Sequence, residues 1–274
     1  MTRASKPFPS WDESLDLSEI LNRGAQKLLE SYSHIPPSDV ESHVRTIAKK
    51  GWDIRDYPCF RVFSFLDFDL SRSPQYARVL ELLKAGALFI DLGCGVGQDI
   101  RRLVYDGAPG QNLIGLDLCG GFVDLGFELF RDRESLGASF LIQSFFDDTA
   151  LLRQVMGKIS VINSGYFMHL WDWDGQIRVG RRMIELLPTG GGLITGVHFG
   201  SRRSGRWVPD GGKEMFLHDK DTLTTMWTAI GKMSGAQLSI EAIVQEDIKC
   251  QHYDADGFFI RWVVQCHGSD ADSA

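Results

Sequence analysis

The sequence has little of what marks a membrane-spanning, secreted or nucleic-acid-binding protein. None of its apolar runs is long enough to cross a bilayer, and residues 1–10 lack the apolar core of a signal peptide. The 36 acidic residues outnumber the 29 basic ones, and the net charge of −7 disfavours nucleic acid as a partner. The five cysteines form no C-x-x-C pair, so we expect no disulfide framework, no metal site and a reducing, cytoplasmic location.

Internal repeats and low-complexity segments are also missing from the 274 residues. The hydrophobic content of 43% is enough for a large core, and the length fits one domain with an extension. Helical spacing of apolar residues predicts a helical N-terminal extension over residues 1–85, serving as a lid or as the contact of a homodimer. The main domain is then expected over residues 86–268, followed by a tail over 269–274.

Two features of the extension give more specific expectations. Ser38 and Glu41 match a capping box, which predicts a helix from this point to Gly51, the residue expected to end it. Residues 57–70 are dense in aromatic side chains. These aromatic side chains either pack the extension onto the main domain or form a wall for an apolar substrate.

Strand and helix signals alternate along the main domain. Five strand-like runs, the last at 193–198, are separated by helical runs, which favours a parallel sheet with helices on both faces. Two further runs, 238–245 and 258–266, flank a polar loop and predict an antiparallel hairpin. The expected fold is therefore α/β, with a Rossmann-like seven-stranded, mostly parallel sheet and a C-terminal antiparallel hairpin.

The most informative segment is FIDLGCGVGQD at residues 89–99, in which an apolar strand is followed by three alternating glycines and a helix. Glycine allows a tight turn and a close approach of ligand to backbone, and the helix start directs free N–H groups at a ligand carboxylate. A dinucleotide fingerprint needs its third glycine at position 98, where this chain has glutamine. The loop therefore favours S-adenosylmethionine over a nicotinamide cofactor.

Asp117 ends the next strand about 20 residues after the loop, at the place where such domains need a carboxylate for the ribose hydroxyls. After the third strand, Ser144 and Phe145 are candidates for contact with adenine. The predicted cofactor-binding residues are Asp91, Gly93, Gly95, Gly97, Gln98, Asp117, Leu118, Ser144, Phe145 and Asn163.

Two later segments supply candidates for substrate chemistry. His169 follows the fourth strand, and His218 lies in the long connection over 198–219, where a lid is expected. Either imidazole could act as a general base, or could instead fix its loop through a structural hydrogen bond. The predicted substrate-binding residues are Tyr166, Phe167, Arg206 and Trp207.

Together these motifs resemble the fungal secondary-metabolite methyltransferases, and most closely the meroterpenoid carboxyl methyltransferases. The matching residues are DLGCGVGQDIR at 91–101, LVYDGAP at 103–109, HLWDWDGQ at 169–176 and YPCF at 57–60. The resemblance implies that residues 86–268 form an S-adenosylmethionine-binding methyltransferase domain, in which Asp91 contacts the amino group of the methionine moiety. It also implies methyl ester formation on an apolar, polycyclic carboxylic acid. That acceptor needs no strong base because a carboxylate is already ionised at neutral pH.

Three other functions fit the same residues. A hydroxyl O-methyltransferase would need His169 or His218 as its base. A cyclase or isomerase could retain the fold and the cofactor without transferring methyl. A binding module, such as an inactive partner of another methyltransferase, would use the helical extension for association.

Overall fold

The computed structural model describes residues 3–4, 11–12, 14–209, 212–246, 250 and 253–268. It divides into two compact units. Unit 1 comprises Met1–Pro9, Leu88–Ile90 and Asp148–Ala274, and unit 2 comprises Ser10–Ala87 and Asp91–Asp147. The tail predicted over 269–274 lies outside the described residues.

Seven strands form the main sheet, in the order β4-β3-β2-β5-β6-β10-β9. Parallel pairing joins β3 to β4 and β5 to β6, whereas β10 is antiparallel to both β6 and β9. The predicted fold class, including the C-terminal hairpin, is confirmed. The strands are β2 (Leu88–Leu92), β3 (Leu113–Asp117), β4 (Ser139–Ile142), β5 (Ile159–Gly165), β6 (Gly191–Ser201), β9 (Gln237–Gln245) and β10 (Gly257–His267).

Helices separate consecutive parallel strands, as the alternation in the sequence predicted. The strand β5 is buried along nearly its whole length, as expected for a central parallel strand. The helices of this part are α6 (Gln98–Tyr105), α7 (Gly120–Phe130), α8 (Ala150–Val155), α9 (Trp173–Leu186) and α10 (Lys220–Ser234).

The connection over residues 198–219 is more ordered than the sequence suggested. Residues 198–201 continue β6, and the chain then forms an antiparallel hairpin of β7 (Gly205–Val208) and β8 (Met215–Leu217). A short strand, β1 (Arg3–Ala4), pairs in parallel with β7. The expectation of an irregular loop here was wrong, because strand pairing supplies the backbone hydrogen bonds that a loop would leave to water. The lid expected in this segment remains a prediction.

The N-terminal extension is helical, as predicted. Its helices are α1 (Ser18–Ile20), α2 (Gln26–Ser31), α3 (Val40–Ile54), α4 (Pro58–Arg61) and α5 (Tyr76–Lys84), with a π-helical turn at Leu21–Ala25. The predicted capping box is absent, because the Ser38 hydroxyl donates to the neighbouring Asp39 carboxylate and α3 begins without a side-chain cap. The predicted end at Gly51 is also wrong, since α3 continues to Ile54.

The core of unit 2 joins the extension to α7. Phe60 packs at ring-centroid distances of 5.2 Å from Phe65 and 5.1 Å from Phe122, and the same cluster contains Leu125 and Phe130. The packing interpretation of the aromatic segment is therefore confirmed for unit 2. In the described part of the chain, no helix combines the length and apolar character needed to span a membrane.

Glycine is required at position 51 by the packing of Phe60 against α3, and not by a helix end at this position. A Cβ placed there would overlap the ring of Phe60, which is itself buried. We expect Gly51→Ala to lower the free energy of unfolding by about 1 to 3 kcal/mol because the ring has to move. Gly190→Ala is the control, since an added Cβ there meets nothing within 4 Å. Urea unfolding of the two variants measures this, and equal stabilities would contradict the packing explanation.

Candidate functional site

The glycine loop of unit 2 is a tight turn between the end of β2 and α6. Gly93, Gly95 and Gly97 have φ values of +68°, +55° and +64°, in the left-handed region that favours glycine. The N–H groups of Gly93 and Cys94 donate to the carbonyl of Leu116 at 2.8 and 3.1 Å. The loop is thereby attached to β3, directly before Asp117.

Asp117 links the loop to the start of α7. Its two carboxylate oxygens accept backbone N–H groups at 2.8 Å, one from Gly95 and the other from Cys119. Burial raises the pKa of this carboxyl, while these backbone donors and the Arg55 guanidinium act in the opposite direction. The N–H of Leu118 also acts on this carboxylate. A carboxylate has about four acceptor positions, so Asp117 can still accept from a ligand hydroxyl without losing its structural bonds.

The surroundings of the loop fit a nucleoside with an amino acid tail. A Cβ at Gly95 would meet nothing within 4 Å, so open space lies next to its backbone. Leu118, which follows the carboxylate, exposes 66% of its surface, and Ile142, the strand partner of Asp117, is also exposed. Such a ligand needs backbone that it can approach closely, a carboxylate and exposed apolar side chains, and all three are present here.

The remaining cofactor candidates at the loop differ in what they do. Asp91 is buried at the end of β2, and Gln98 is the first residue of α6 and half-buried. Asp99, one residue further, accepts the N–H of Leu70 at 3.2 Å and so holds the N-terminal extension. Its carboxylate has a structural partner that the sequence pattern did not reveal.

Arg101 is a fully buried residue that sequence reasoning missed. Its Nε and Nη2 donate to the two carboxylate oxygens of Asp132 at 2.9 and 3.0 Å, and its Nη1 donates to the carbonyl of Val96 at 2.8 Å. The rings of Phe127, Phe130 and Phe140 lie 5.0 to 5.5 Å from the guanidinium. The glycine loop therefore rests on a buried charge, and a Cβ at Gly97 would come within 2.5 Å of Nη1.

Ser144 and Phe145, the two residues predicted to contact adenine, differ in how a ligand could reach them. The Ser144 hydroxyl accepts the N–H of Phe146 at 3.2 Å, so it shapes the turn after β4. Phe145 is buried, whereas Phe146 exposes 39% of its surface. Phe146 is thus the aromatic side chain of this turn that a ligand could reach.

In unit 1, the segment after β5 contains a strained tyrosine. Asn163 is buried within β5, and Tyr166 has φ +54°, which is costly for a bulky residue. Its N–H donates to the carbonyl of Val197 at 2.9 Å, and its ring contacts Phe259 at 5.4 Å. Phe167 is buried against Trp171, with ring centroids 4.8 Å apart. Such strain is commonly retained at functional segments.

Three buried histidines lie in a row in unit 1. The ring of His198 is 5.9 Å from His169 and 6.0 Å from His218. His218 has partners for both ring nitrogens, Thr222 Oγ1 at 3.1 Å and Gln176 Oε1 at 3.2 Å. Among the described residues, no hydrogen-bond partner reaches Nδ1 of His169 or either nitrogen of His198. His198 was missed because no motif marks it and only the fold brings it beside His169.

Burial keeps these imidazoles neutral. It lowers the pKa of His169 and of His218 to about 4 and lowers the pKa of His198 well below its ordinary value.

The two substrate candidates of the β7–β8 hairpin differ in exposure. Arg206 is exposed and paired with Glu214 at 3.3 Å, and Trp207 is buried against Phe199. In the part of the chain that the structure describes, no group of three or more His, Cys, Asp or Glu side chains is arranged so that it could hold a metal ion.

Comparison with known proteins identifies the family. A family model described as the meroterpenoid methyltransferase N-terminal domain matches residues 11–66. The Asnovolin E/Chermesin D methyltransferase nvfJ of Aspergillus novofumigatus is 37% identical over 248 residues, 89% of each chain. The O-methyltransferase atr3 of Stereocaulon alpinum is 39% identical over 267 residues, covering 95% of this chain and 74% of the relative. The chain belongs to the fungal secondary-metabolite methyltransferases.

Solved structures agree with this fold. A Burkholderia thailandensis 1,6-didemethyltoxoflavin-N1-methyltransferase, with bound S-adenosylhomocysteine, matches at a TM-score of 0.51 and 12% identity, covering 96% of this chain and 95% of that one. The [4+2]-cyclase SpnF matches at 0.51 and 14% identity, covering 71% and 82%. The family confirms the expected enzyme class, a methyltransferase. The expected cofactor, S-adenosylmethionine, agrees with the fold of this chain.

The Arg101–Asp132 pair gives a first prediction for this site. Asp132→Asn removes the charge that compensates a fully buried guanidinium, so we expect a loss of about 3 kcal/mol in the free energy of unfolding and weaker cofactor binding. Asp124→Asn is the matched control, because the Asp124–Arg133 pair is exposed and contributes about 1 kcal/mol at most. Chemical denaturation with calorimetric titration measures both, and equal losses would contradict the supporting role.

The histidine row predicts a pH dependence of stability. The folded pKa of His218 lies below that of the unfolded chain, so its contribution is present above about pH 6.5 and is lost as the pH falls toward 4. We expect a loss on the order of 1 to 2 kcal/mol by pH 5 from this residue. His218→Gln should therefore flatten the decline in unfolding free energy between pH 7 and pH 5.

The control for that experiment is the exposed His267, which pairs with Ser239 at 2.7 Å. His267→Gln makes the same side-chain exchange at an exposed position outside the buried row. If His218→Gln shows the same slope as the control, burial does not hold this imidazole neutral.

Proposed function

We propose that this methyltransferase uses S-adenosylmethionine to form the methyl ester of a carboxylic acid on an apolar, polycyclic natural product, such as a terpenoid acid. The observation that carries the acceptor assignment is the state of the histidines. His169 and His218, the two candidate bases, are buried with pKa values near 4, and His218 is held by two hydrogen bonds. A carboxylate acceptor suits such a site because it needs no deprotonation.

The cofactor would be held by residues of unit 2. The loop glycines and the N-terminus of α6 would receive the amino acid tail, Asp91 its amino group and Asp117 the ribose hydroxyls. Leu118 and the turn at Ser144 and Phe145 would border the adenine. When bound, the cofactor supplies an electrophilic methyl group on a positively charged sulfur. Asn163, which lies on β5 in unit 1, stays a prediction from the sequence.

The acceptor would be positioned by side chains of unit 1, most of them neutral. An imidazole N–H of His169 can donate to a carboxylate oxygen and thereby fix its orientation, without taking up a proton. Tyr166 and Phe167 supply apolar surface that removes water from the acceptor, and an aligned, desolvated oxygen meets a lower barrier. Arg206 and Trp207 are retained as proposed contacts at the β7–β8 hairpin, where Arg206 could bind a substrate carboxylate.

A hydroxyl acceptor is the second candidate function. The relative atr3 is named an O-methyltransferase, a term that covers both esters and ethers. A hydroxyl acceptor requires proton removal, and His169 is the group available because its Nδ1 has no partner among the described residues. Likeness to SpnF concerns the fold alone and does not favour a cyclase.

The acceptor class can be tested with His169→Gln. For carboxylate transfer we expect kcat to fall by less than about tenfold, because positioning is only partly lost, and the rate to stay level from pH 6 to pH 8. A general base contributes typically 10²–10⁴-fold, roughly, so a loss of that size would indicate a hydroxyl acceptor. His267→Gln serves as the exposed control and should not change the rate.

Product analysis completes this test. Incubation with labelled cofactor and a panel of terpenoid acids should give a product heavier by one methylene unit. Alkaline hydrolysis should return the starting acid, since an ester is cleaved and an ether is not. A product of unchanged mass would contradict methyl transfer, and a product stable to alkali would contradict the carboxylate acceptor.

A further inference from the structure

The N-terminal extension reaches the turn that follows Asp117. Ile54 Cδ1 lies 3.3 Å from the position that a Cβ would take at Gly121. The rings of Tyr57 and Phe60 lie 5.9 and 5.1 Å from the ring of Phe122. All of these residues belong to unit 2. The end of α3 and the start of α4 therefore pack on the first turn of α7, a few residues beyond the proposed ribose carboxylate.

Arg55 lies in this segment with most of its donors unused. Its guanidinium is 5.4 Å from the centroid of the Tyr57 ring, and Nη1 donates to the Tyr57 hydroxyl at 3.2 Å. Within the described residues, no carboxylate comes within ion-pair distance of it. A guanidinium has five N–H donors, so a planar, oriented cation with free donors is presented at this surface.

The charges of this segment and of Asp117 act on one another. Arg55 favours the ionised form of the Asp117 carboxyl, against the effect of its burial. The pKa of the Cys59 thiol is raised to about 12, mainly by burial and in part by the charge of Asp117. Ile54 and Tyr57 also pack on Gly121 and Phe122, four and five residues after Asp117, so the segment borders the place where Asp117 would meet a ligand.

The chain beyond this segment is fixed by packing. Phe63 and Phe68 have φ values of +57° and +46°, costly for aromatic residues, and both side chains are buried. Two residues after Phe68, the N–H of Leu70 donates to Asp99 in the first turn of α6. Attachment at both α6 and α7 pre-organises the extension, so that binding would not have to order it.

We propose that Arg55 and Tyr57 form a second cofactor-binding element, in which Arg55 donates to the ribose hydroxyls that themselves donate to Asp117. A hydroxyl is both donor and acceptor, so the carboxylate and the guanidinium complement each other on a vicinal diol. The Tyr57 ring holds the guanidinium in position. This inference rests on the proposed cofactor site and extends it to the N-terminal extension.

Binding of two ligands by the full chain tests the assignment. S-adenosylhomocysteine carries the nucleoside and the amino acid tail, whereas 5′-methylthioadenosine carries the nucleoside alone. Arg55→Met should weaken both by the same factor, about tenfold, because both contain the diol. Arg133→Met is the matched control, since Arg133 is also exposed and lies 4.3 Å from an aromatic ring, that of Phe127. It should leave both affinities unchanged in calorimetric titration.

The outcomes separate this inference from the function on which it rests. A loss confined to S-adenosylhomocysteine would place Arg55 at the amino acid carboxylate and overturn the inference, and so would unchanged binding of both ligands. If the unmodified chain bound neither ligand, the cofactor assignment itself would fail together with the inference. Equal melting temperatures of the two arginine variants exclude misfolding as the cause of a loss.

Discussion

The buried ion pair of Arg101 and Asp132 supports the part of the structure that the proposed chemistry uses. The guanidinium donates to the Asp132 carboxylate and to a carbonyl of the glycine loop, and it lies against three aromatic rings. The Tyr32 hydroxyl from the N-terminal extension also donates to Asp132, at 2.8 Å. A charge so enclosed is tolerated only when its donors are satisfied, and residues of the glycine loop, α7 and the N-terminal extension all contact this ion pair.

The two units offer different chemistry. In unit 2 the polar groups of the candidate site are charged or backbone groups, and Asp117 keeps lone pairs for hydroxyls while accepting two N–H groups. In unit 1 the titratable groups of the candidate segment are neutral imidazoles among aromatic rings. The first environment suits a polar, zwitterionic nucleoside, and the second suits an apolar substrate with one oxygen to orient.

The fold and the cofactor loop could be predicted because they depend on local patterns. Strand and helix periodicity located the elements, and the spacing of Gly93, Gly95 and Gly97 with Asp117 located the loop and its carboxylate. Arg101, Gly51 and His198 could not be predicted in the same way. Their partners lie 31 residues away in the case of Asp132, or on another element in the case of Phe60 and His169, so no local pattern records them.

Two of the wrong expectations have different causes. Ser38 and Glu41 have the spacing of a capping box, but the neighbouring Asp39 accepts the hydroxyl of Ser38 instead. The residues of the 198–219 connection lack the alternation of a strand, although β7 pairs with β8 there and β1 pairs with β7. The competition at Ser38 is a local effect, whereas the pairing of β1 with β7 is a tertiary effect that no local pattern records.

We propose that the glycine loop and Asp117, held in place by the buried Arg101, bind S-adenosylmethionine. A crystal structure of the chain with S-adenosylhomocysteine would test this binding. We expect the ribose hydroxyls within hydrogen-bond distance of Asp117 and the amino acid tail against the backbone of Gly93 and Gly95. A ligand bound elsewhere, or a loop that stays empty at saturating ligand, would contradict it.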